Sequence, residues 1–155
     1  MYRGETLKVL IVCTGNTCRS PMGEGILKHL SKKYDIEIEV KSAGIAAFDG
    51  DIASKNAVLA LDNIGIDISN HKSHQLHGDM IDESDIILTM TRNHKDSIIG
   101  RFPNSIKKVY SLNDYAFGLE KDIEDPYGGS LQDYETARDE IYIALEKIVK
   151  NIVKR

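Results

Sequence analysis

A cysteine and an arginine lie six positions apart in this chain, directly after a short apolar segment. Residues 7–12 predict a strand, after which the chain turns through Gly15 towards the start of a helix. Backbone N–H groups in such a turn converge on an anion, and the positive end of the helix dipole points at the same place. That field also stabilises a thiolate, so Cys13 is expected to be a nucleophile, and the guanidinium of Arg19 can bind two phosphate oxygens. The flanking residues favour this interpretation over a buried structural cysteine beside a surface arginine.

The size and composition of the chain limit the class of protein. Its 155 residues, 41% of them hydrophobic, suffice for one core, and we expect residues 1–155 to form a single domain. The formal net charge of -4 argues against a nucleic-acid surface, which is normally basic. The presence of only two cysteines argues against a disulfide scaffold and indicates a reducing compartment. The apolar segment near the N-terminus is too short for a signal sequence or a membrane span, so we expect a cytoplasmic protein.

Apolar segments alternate with helical patterns along the chain, which is typical of a parallel sheet covered by helices. Strands are predicted at residues 7–12, 36–42, 85–89 and 107–112. Helices are predicted from about residue 20, at 52–64, at 92–100, and after Ser130, which forms a capping box with Asp133. The pattern predicts an α/β, flavodoxin-like, three-layer fold with a four-stranded parallel sheet. The phosphate-binding loop would follow the first strand, at the edge where open α/β sheets bind ligands.

Residues 113–129 show no periodicity, and long segments of this kind are usually functional or disordered. The segment is acidic, and most of its carboxylates are expected to be solvated. Asp125 differs because Pro126 keeps its backbone extended and directs its side chain. On the residues alone, Asp125 and its acidic neighbours remain equal candidates for a catalytic acid.

Residues 12–21, VCTGNTCRSP, together with Asp125-Pro126-Tyr127, resemble the low-molecular-weight protein tyrosine phosphatase family. Residues 42–44, 65–71 and 85–90 are also similar, so the resemblance covers nearly the whole chain. It implies that Cys13 attacks phosphorus and forms a phosphocysteine, while Arg19 and the loop amides bind the phosphoryl oxygens. Asp125 would protonate the leaving group and then deprotonate the hydrolytic water. Neither a metal nor another cofactor is then expected, because Arg19 and the amides balance the charge.

The resemblance also implies supporting roles around the loop. Ser20 would donate its hydroxyl to the Cys13 thiolate. Asn16 would hold the strained turn, braced by Ser42 and His71, and asparagine does tolerate positive φ better than most residues. An ordinary turn residue and a surface histidine are the alternatives for Asn16 and His71. The predicted phosphate-binding loop comprises Thr14, Gly15, Asn16, Thr17, Cys18 and Ser20.

Two positions depart from the tyrosine-specific pattern of that family. Many members carry a large aliphatic residue where this chain has Thr17, and a second aromatic residue where it has Gly128; in both respects the chain resembles the protein arginine phosphatase branch. A threonine hydroxyl suits a guanidinium better than a phenyl ring, and only Tyr127 remains for stacking, a contact worth about 1 kcal/mol. Asp125 could bind a phosphoguanidinium by charge-assisted hydrogen bonds. We therefore expect phosphoarginine on proteins as the favoured substrate, with phosphotyrosine as the alternative.

Other classes of protein share parts of this pattern. An arsenate reductase needs further cysteines, and none follows Cys18. A phosphocysteine carrier of a sugar phosphotransferase system would lack the arginine and needs no general acid, and non-catalytic phosphate binding is a third alternative. His71, His74 and His77 repeat every third residue, but without an acidic or cysteine partner nearby we expect no metal site.

The sequence is compatible with two interpretations of Cys18. It is either inert packing or the partner of Cys13 in a reversible disulfide that protects the thiolate from over-oxidation. The family resemblance favours the disulfide. We further expect a monomer that acts on phosphorylated proteins.

Overall fold

The structure, a computed structural model, describes residues 6–154. Four strands form one parallel sheet in the order β2-β1-β3-β4: β1 (Leu7–Cys13), β2 (Ile38–Gly44), β3 (Ile86–Thr89) and β4 (Val109–Ser111). The helices of this part of the chain are α1 (Arg19–Lys33), α2 (Lys55–Asp62), α3 (Gly78–Glu83), α4 (Arg92–Arg101), α5 (Leu112–Phe117) and α6 (Leu131–Val153), with a short 3₁₀ helix at Pro103–Ser105. The predicted α/β fold with four parallel strands is confirmed, as is the Ser130–Asp133 capping box at the start of α6.

The side chains of β1 alternate between two apolar cores on opposite faces of the sheet. Val9 and Ile11 pack in the larger core, to which α1, α2, α5 and α6 contribute, and Leu10 and Val12 pack in the smaller core with residues of α3 and α4. The continuous apolar sequence of β1 follows from this burial on both faces. Because the alternation fixes the register of the strand, Cys13 lies at the carboxyl edge of the sheet, between β2 and β3.

The second strand lies two residues later than the predicted 36–42. The backbone N–H of Ile36 bonds to the carbonyl of Ser31 at 3.0 Å and so belongs to the end of α1, and Asp35 turns the chain with φ of 52°. The strand therefore begins at Ile38 and extends to Gly44, which pairs with Cys13.

The second helix is shorter than the predicted 52–64. Ile52 forms an isolated antiparallel bridge with Lys72, and Ser54 has extended backbone whose N–H donates to the carbonyl of Thr17 at 2.8 Å. These contacts delay the helix until Lys55. They also tie the segment between β2 and α2 to the phosphate-binding loop.

Two short helices were not predicted. Helix α3 has no counterpart among the predicted elements. Helix α5 takes the last residue of the strand predicted at 107–112 and the first five of residues 113–129, where no regular structure was expected. Helix α5 buries only Leu112, Asn113 and Ala116 and ends at Gly118, which has φ of 68°. Each of these two helices has six residues, fewer than two turns, which is too short to show periodicity in the sequence. The irregular segment is therefore residues 118–130.

Candidate active site

The loop between β1 and α1 folds around the sulfur of Cys13. Only 2% of Cys13 is exposed, and the 15-residue helix α1 begins at Arg19, so its positive end faces the loop. Asn16 turns the loop with φ of 56°, a conformation that asparagine adopts more readily than most residues. The sulfur lies 2.9 Å from the Oγ of Ser20. A hydroxyl and the N-terminus of a helix thus both lie beside this sulfur, where each can stabilise negative charge that develops on it.

The side chain of Asn16 connects this loop to its surroundings. Its Nδ2 donates to the Oγ of Ser20 at 2.8 Å and to the Oγ of Ser42 at 2.9 Å. Its Oδ1 accepts from the backbone N–H of His74 at 2.8 Å, and its backbone carbonyl lies 2.8 Å from Nε2 of His71. The structure thus brings together Asn16, Ser20, Ser42 and His71, the four residues for which supporting roles were predicted.

The close approach of β2 to this loop depends on Gly44. A Cβ at this position would lie 2.6 Å from the carbonyl oxygen of Thr14 and 2.9 Å from the backbone nitrogen of Asn16. Any side chain there would displace the phosphate-binding loop.

Glu24, which no sequence pattern singled out, completes the network behind the loop. Its Oε1 accepts a hydrogen bond from Ser42 at 2.5 Å and lies 3.8 Å from Nδ1 of His71, and its Oε2 is 2.6 Å from Nζ of Lys28. Since Ser42 donates to Glu24, its oxygen is left to accept from Asn16. The available signal was the i,i+4 spacing of Ser20 and Glu24, which places both on one side of α1.

Arg19 is the first residue of α1 and is 3% exposed. Its Nη1 donates to the carbonyl of Ile123 at 2.8 Å, and its Nη2 lies 3.6 Å from Oδ2 of Asp125. Its Nε is buried and has no hydrogen-bond partner among the described residues. A buried donor of this kind beside a thiol can bind a phosphoryl oxygen without first giving up another bond.

Asp125 is held by a segment that crosses the carboxyl edge of the sheet. The N–H of Ile123 donates to the carbonyl of Met90 at 2.9 Å, and Ile123 is fully buried. Oδ1 of Asp125 accepts a hydrogen bond from the N–H of Tyr127 at 3.1 Å, so that its Oδ2 faces Arg19. Its neighbour Asp122 instead accepts from the backbone N–H of Arg92 at the start of α4. Of these two carboxylates, Asp125 is the one placed beside Arg19, and its side chain is half exposed.

His94, in the first turn of α4, was also missed. Its Nε2 lies 2.9 Å from Oγ1 of Thr14, and its backbone N–H donates to Oγ1 of Thr91, the residue that caps α4. Burial, together with the charge of Arg19, lowers the pKa of His94 to about 4, so the ring is neutral at neutral pH. The signal in the sequence was its position just after β3, because the ends of neighbouring parallel strands lie at one edge.

Cys18 is buried in a separate polar cluster beside the loop. Its sulfur donates towards Oγ of Ser54 at 3.6 Å, and it lies 3.4 Å from the hydroxyl of Tyr134 and 3.8 Å from Oγ1 of Thr17. Burial and the contact with Cys18 raise the pKa of Tyr134 to about 12, so the phenol keeps its proton. Cys13 and Cys18 are both free thiols in the structure, and their disulfide stays a prediction.

Two exposed aromatic side chains lie on segments that are connected to the site. Tyr127 follows Asp125 by two residues and is 77% exposed, and Thr17, within the loop, is partly exposed. Phe48, which the sequence analysis did not single out, is 80% exposed on the segment after β2. That segment is tied to the loop because the N–H of Ala46 donates to the carbonyl of Thr14 at 2.9 Å.

The three histidines at every third position do not act together. His71 and His74 bond to Asn16, whereas His77 precedes α3 as its N-cap residue. Within residues 6–154, no three histidine, cysteine or acidic side chains are grouped so that they could hold a metal ion. In the same residues, no helix has the length and apolar character needed to cross a membrane.

Comparisons with known proteins identify the family to which the chain belongs. Residues 8–155 match the family model for low molecular weight phosphotyrosine protein phosphatase. The protein-arginine-phosphatase of Geobacillus stearothermophilus is 40% identical, with 94% of this chain and 95% of the relative covered. The low molecular weight protein-tyrosine-phosphatase PtpB of Staphylococcus epidermidis is 37% identical, with 92% and 96% covered. A solved structure of a YwlE arginine phosphatase mutant with a phosphorylated active-site serine is 35% identical, with a TM-score of 0.91 and with 94% and 95% covered. The chain belongs to this family and is a low-molecular-weight protein phosphatase.

Proposed function

We propose that this phosphatase works without a metal through a phosphocysteine at Cys13 and that its favoured substrate is phosphoarginine on proteins. The observation that carries the proposal is the placement of the Cys13 sulfur 2.9 Å from Ser20, in a loop whose arginine reaches to 3.6 Å from Asp125. Nucleophile, anion-binding group and acid thereby meet at one edge of the sheet. Covalent catalysis of this kind replaces one difficult displacement by two easier ones.

In the first step, the thiolate of Cys13 attacks phosphorus, and the bond from phosphorus to the leaving nitrogen breaks. Asp125, in its acid form, donates a proton to that nitrogen, so the phosphoguanidinium releases arginine as its guanidinium rather than as the strongly basic neutral guanidine. Arg19 and the loop amides bind the phosphoryl oxygens. The free Nε of Arg19 supports this role, because the donor is buried and unpaired.

In the second step, a water molecule attacks the phosphorus of the phosphocysteine. Asp125, now a carboxylate, takes a proton from the water, the bond between sulfur and phosphorus breaks, and inorganic phosphate is released. Ser20 assists because its hydroxyl stabilises the departing thiolate. The enzyme returns to its starting state with Asp125 protonated and Cys13 free.

Two features favour a guanidinium over a phenyl ring. Thr17 contributes a hydroxyl where a large aliphatic residue would make an apolar wall. Gly128 has φ of 77°, a left-handed conformation that strains other residues, so this turn does not readily carry a second rim aromatic. The similarity to a protein-arginine-phosphatase supports the same substrate.

Phosphotyrosine is the second candidate. The observation that favours it is the exposed ring of Tyr127, close in sequence to Asp125, which offers an aromatic face for stacking. The similarity to a protein-tyrosine-phosphatase at 37% identity points the same way.

Turnover of phosphoarginine and phosphotyrosine peptides at equal concentration, in EDTA, separates the two candidates. We expect the wild type to prefer phosphoarginine, and Thr17→Ile to shift the ratio of kcat/KM towards phosphotyrosine by roughly tenfold to a hundredfold, because it removes a hydroxyl and adds apolar bulk. Faster phosphotyrosine turnover by the wild type would leave phosphotyrosine as the substrate. Loss of all turnover in EDTA would contradict the metal-independent mechanism.

The same proposal covers the domain organisation, the oligomeric state, the cellular location and the partners of the enzyme. We infer that residues 1–155 act as one domain and that the protein works as a cytoplasmic monomer on phosphorylated proteins, with no nucleic-acid or membrane partner. The negative net charge and the two free thiols support this inference. Cys18, held close to Tyr134 and Ser54, would be the redox partner of Cys13.

A further inference from the structure

The hydroxyl of Thr14 is held by a buried imidazole at the wall of the active-site cleft. Its Oγ1 lies 2.9 Å from Nε2 of His94. Thr14 itself is exposed, whereas only 8% of His94 is accessible. Both residues line the cleft that also contains Arg19 and Asp125. The hydroxyl is therefore held in the wall of the cleft that Arg19 and Asp125 also line, in the residue that follows Cys13.

The other ring nitrogen shows which way the proton of this hydrogen bond points. Nδ1 of His94 is buried and has no hydrogen-bond partner within residues 6–154. A buried N–H without an acceptor is rarer and costlier than a lone pair without a donor. The single proton of the neutral ring therefore sits on Nε2, which donates to Thr14. The ring does not take a second proton at neutral pH, because burial and Arg19 lower the pKa of His94 to about 4.

A threonine hydroxyl has one proton to donate and lone pairs to accept with. Since one lone pair of Thr14 is occupied by His94, its own proton is directed away from the imidazole and towards the cleft. We propose that Thr14 donates this proton in a hydrogen bond to a non-bridging phosphoryl oxygen of the substrate. His94 is the positioning residue that orients the donor.

This inference rests on the proposed function and adds a side-chain donor to the loop amides and Arg19. A donor that is already oriented stabilises developing charge without reorganising during the reaction. Loss of one such donor in an oxyanion hole slows catalysis about 10²- to 10³-fold. Thr14 is exposed, so water can partly replace its hydroxyl, and we expect a smaller loss, roughly tenfold to a hundredfold in kcat/KM.

Four single variants and one double variant test the proposal, with phosphoarginine peptide as the substrate and vanadate as the transition-state analogue. Thr14→Val should lower kcat/KM by that factor and weaken vanadate inhibition in proportion, whereas Thr14→Ser, which keeps the hydroxyl, should stay within about threefold of wild type. His94→Leu should lower kcat/KM by the same factor as Thr14→Val. His94→Gln should keep most of the wild-type kcat/KM because its amide retains an N–H donor. The double variant, Thr14→Val with His94→Leu, should have a kcat/KM no lower than that of the less active single variant, because both changes remove the same interaction.

Thr6→Val is a matched control, since it removes a threonine hydroxyl that donates to Glu37 at 2.8 Å at the start of β1, away from the cleft. It should leave activity unchanged, and thermal unfolding reports whether each variant is folded. The proposal is wrong if Thr14→Val keeps more than about half of the wild-type kcat/KM, if the losses in the double variant multiply, or if vanadate inhibition does not change. If the wild type hydrolyses neither phosphosubstrate, the proposed function fails, and calorimetric binding of inorganic phosphate by wild type and Thr14→Val still tests the hydroxyl as a donor.

Discussion

Replacing Ser20 by alanine tests the feature on which the chemistry of Cys13 depends. Ser20 is fully buried, so water does not take the place of its hydroxyl. The hydroxyl oxygen accepts from Nδ2 of Asn16 at 2.8 Å, which leaves its single proton for the sulfur of Cys13 at 2.9 Å. The variant therefore removes one hydrogen bond to the thiolate and one acceptor of Asn16.

The two losses have separate magnitudes. A hydrogen bond to a charged group contributes about 1.5–3 kcal/mol, which corresponds to a factor of roughly 10 to 150 in a rate that depends on it. Expulsion of the Cys13 thiolate from phosphocysteine should slow by this factor. Asn16 keeps Ser42 as an acceptor, so the free energy of unfolding should fall by about 1 kcal/mol, and Tm by roughly 2–4 °C.

Stopped-flow hydrolysis of p-nitrophenyl phosphate measures the first effect directly. We expect Ser20→Ala to show a burst of nitrophenolate followed by slow turnover, and acid quenching to trap the accumulated phosphoenzyme. Ser42→Ala is the matched control because it also removes an acceptor of Asn16 but does not touch Cys13. It should lower Tm and show no burst. Equal losses of kcat in the two variants, with no accumulation in either, would refute the reasoning.

Three further predictions concern the acid, the second cysteine and the buried histidine. Asp125→Asn should cut kcat by roughly 10²- to 10⁴-fold on phosphoarginine peptides; a larger loss in Asp122→Asn under the same steady-state assay would reassign the acid. Mild peroxide should inactivate the wild type with the loss of two hydrogens in mass spectrometry, and reductant should restore its activity. In Cys18→Ser the sulfenic acid of Cys13 has no resolving thiol, so reductant should fail to restore activity. Equal recovery of activity in both proteins would remove Cys18 from the mechanism. The pKa of His94 is about 4 in the folded protein, against an ordinary value of 6.5, so the unfolded chain binds a proton at a higher pH than the folded protein does. The free energy of unfolding should therefore fall by about 3 kcal/mol as the pH drops from 6.5 to 4. In His94→Gln, the free energy of unfolding measured with urea should lack this part of its dependence on pH. An unchanged pH dependence would show that His94 is not its cause.

The local features of the site could be read from the sequence. An apolar strand followed by Cys13, a turn through Gly15 and a helix start near Ser20 are contiguous, so short-range patterns alone predict a phosphate-binding loop. The capping box at Ser130 and the alternation that defines a parallel sheet are equally local. The predicted start of α2 was wrong because distant residues, Lys72 and Thr17, bond to backbone groups there.

Only the tertiary structure decided which acid faces the arginine. On the residues alone Asp125 could not be separated from its acidic neighbours, although the family resemblance pointed to it. In the structure the bond of Ile123 to Met90 fixes the segment, so that Asp122 accepts from the backbone N–H of Arg92 and Asp125 reaches Arg19. The pairing of Thr14 with His94, 80 residues apart, and the contact of Cys18 with Tyr134, 116 residues apart, likewise have no local signal. Short-range patterns specify where a strand, a turn or a helix begins, because neighbouring residues set those preferences. Which side chains meet depends on how the β-strands pair and on which helices cover each face, and that is settled by burial of the whole chain.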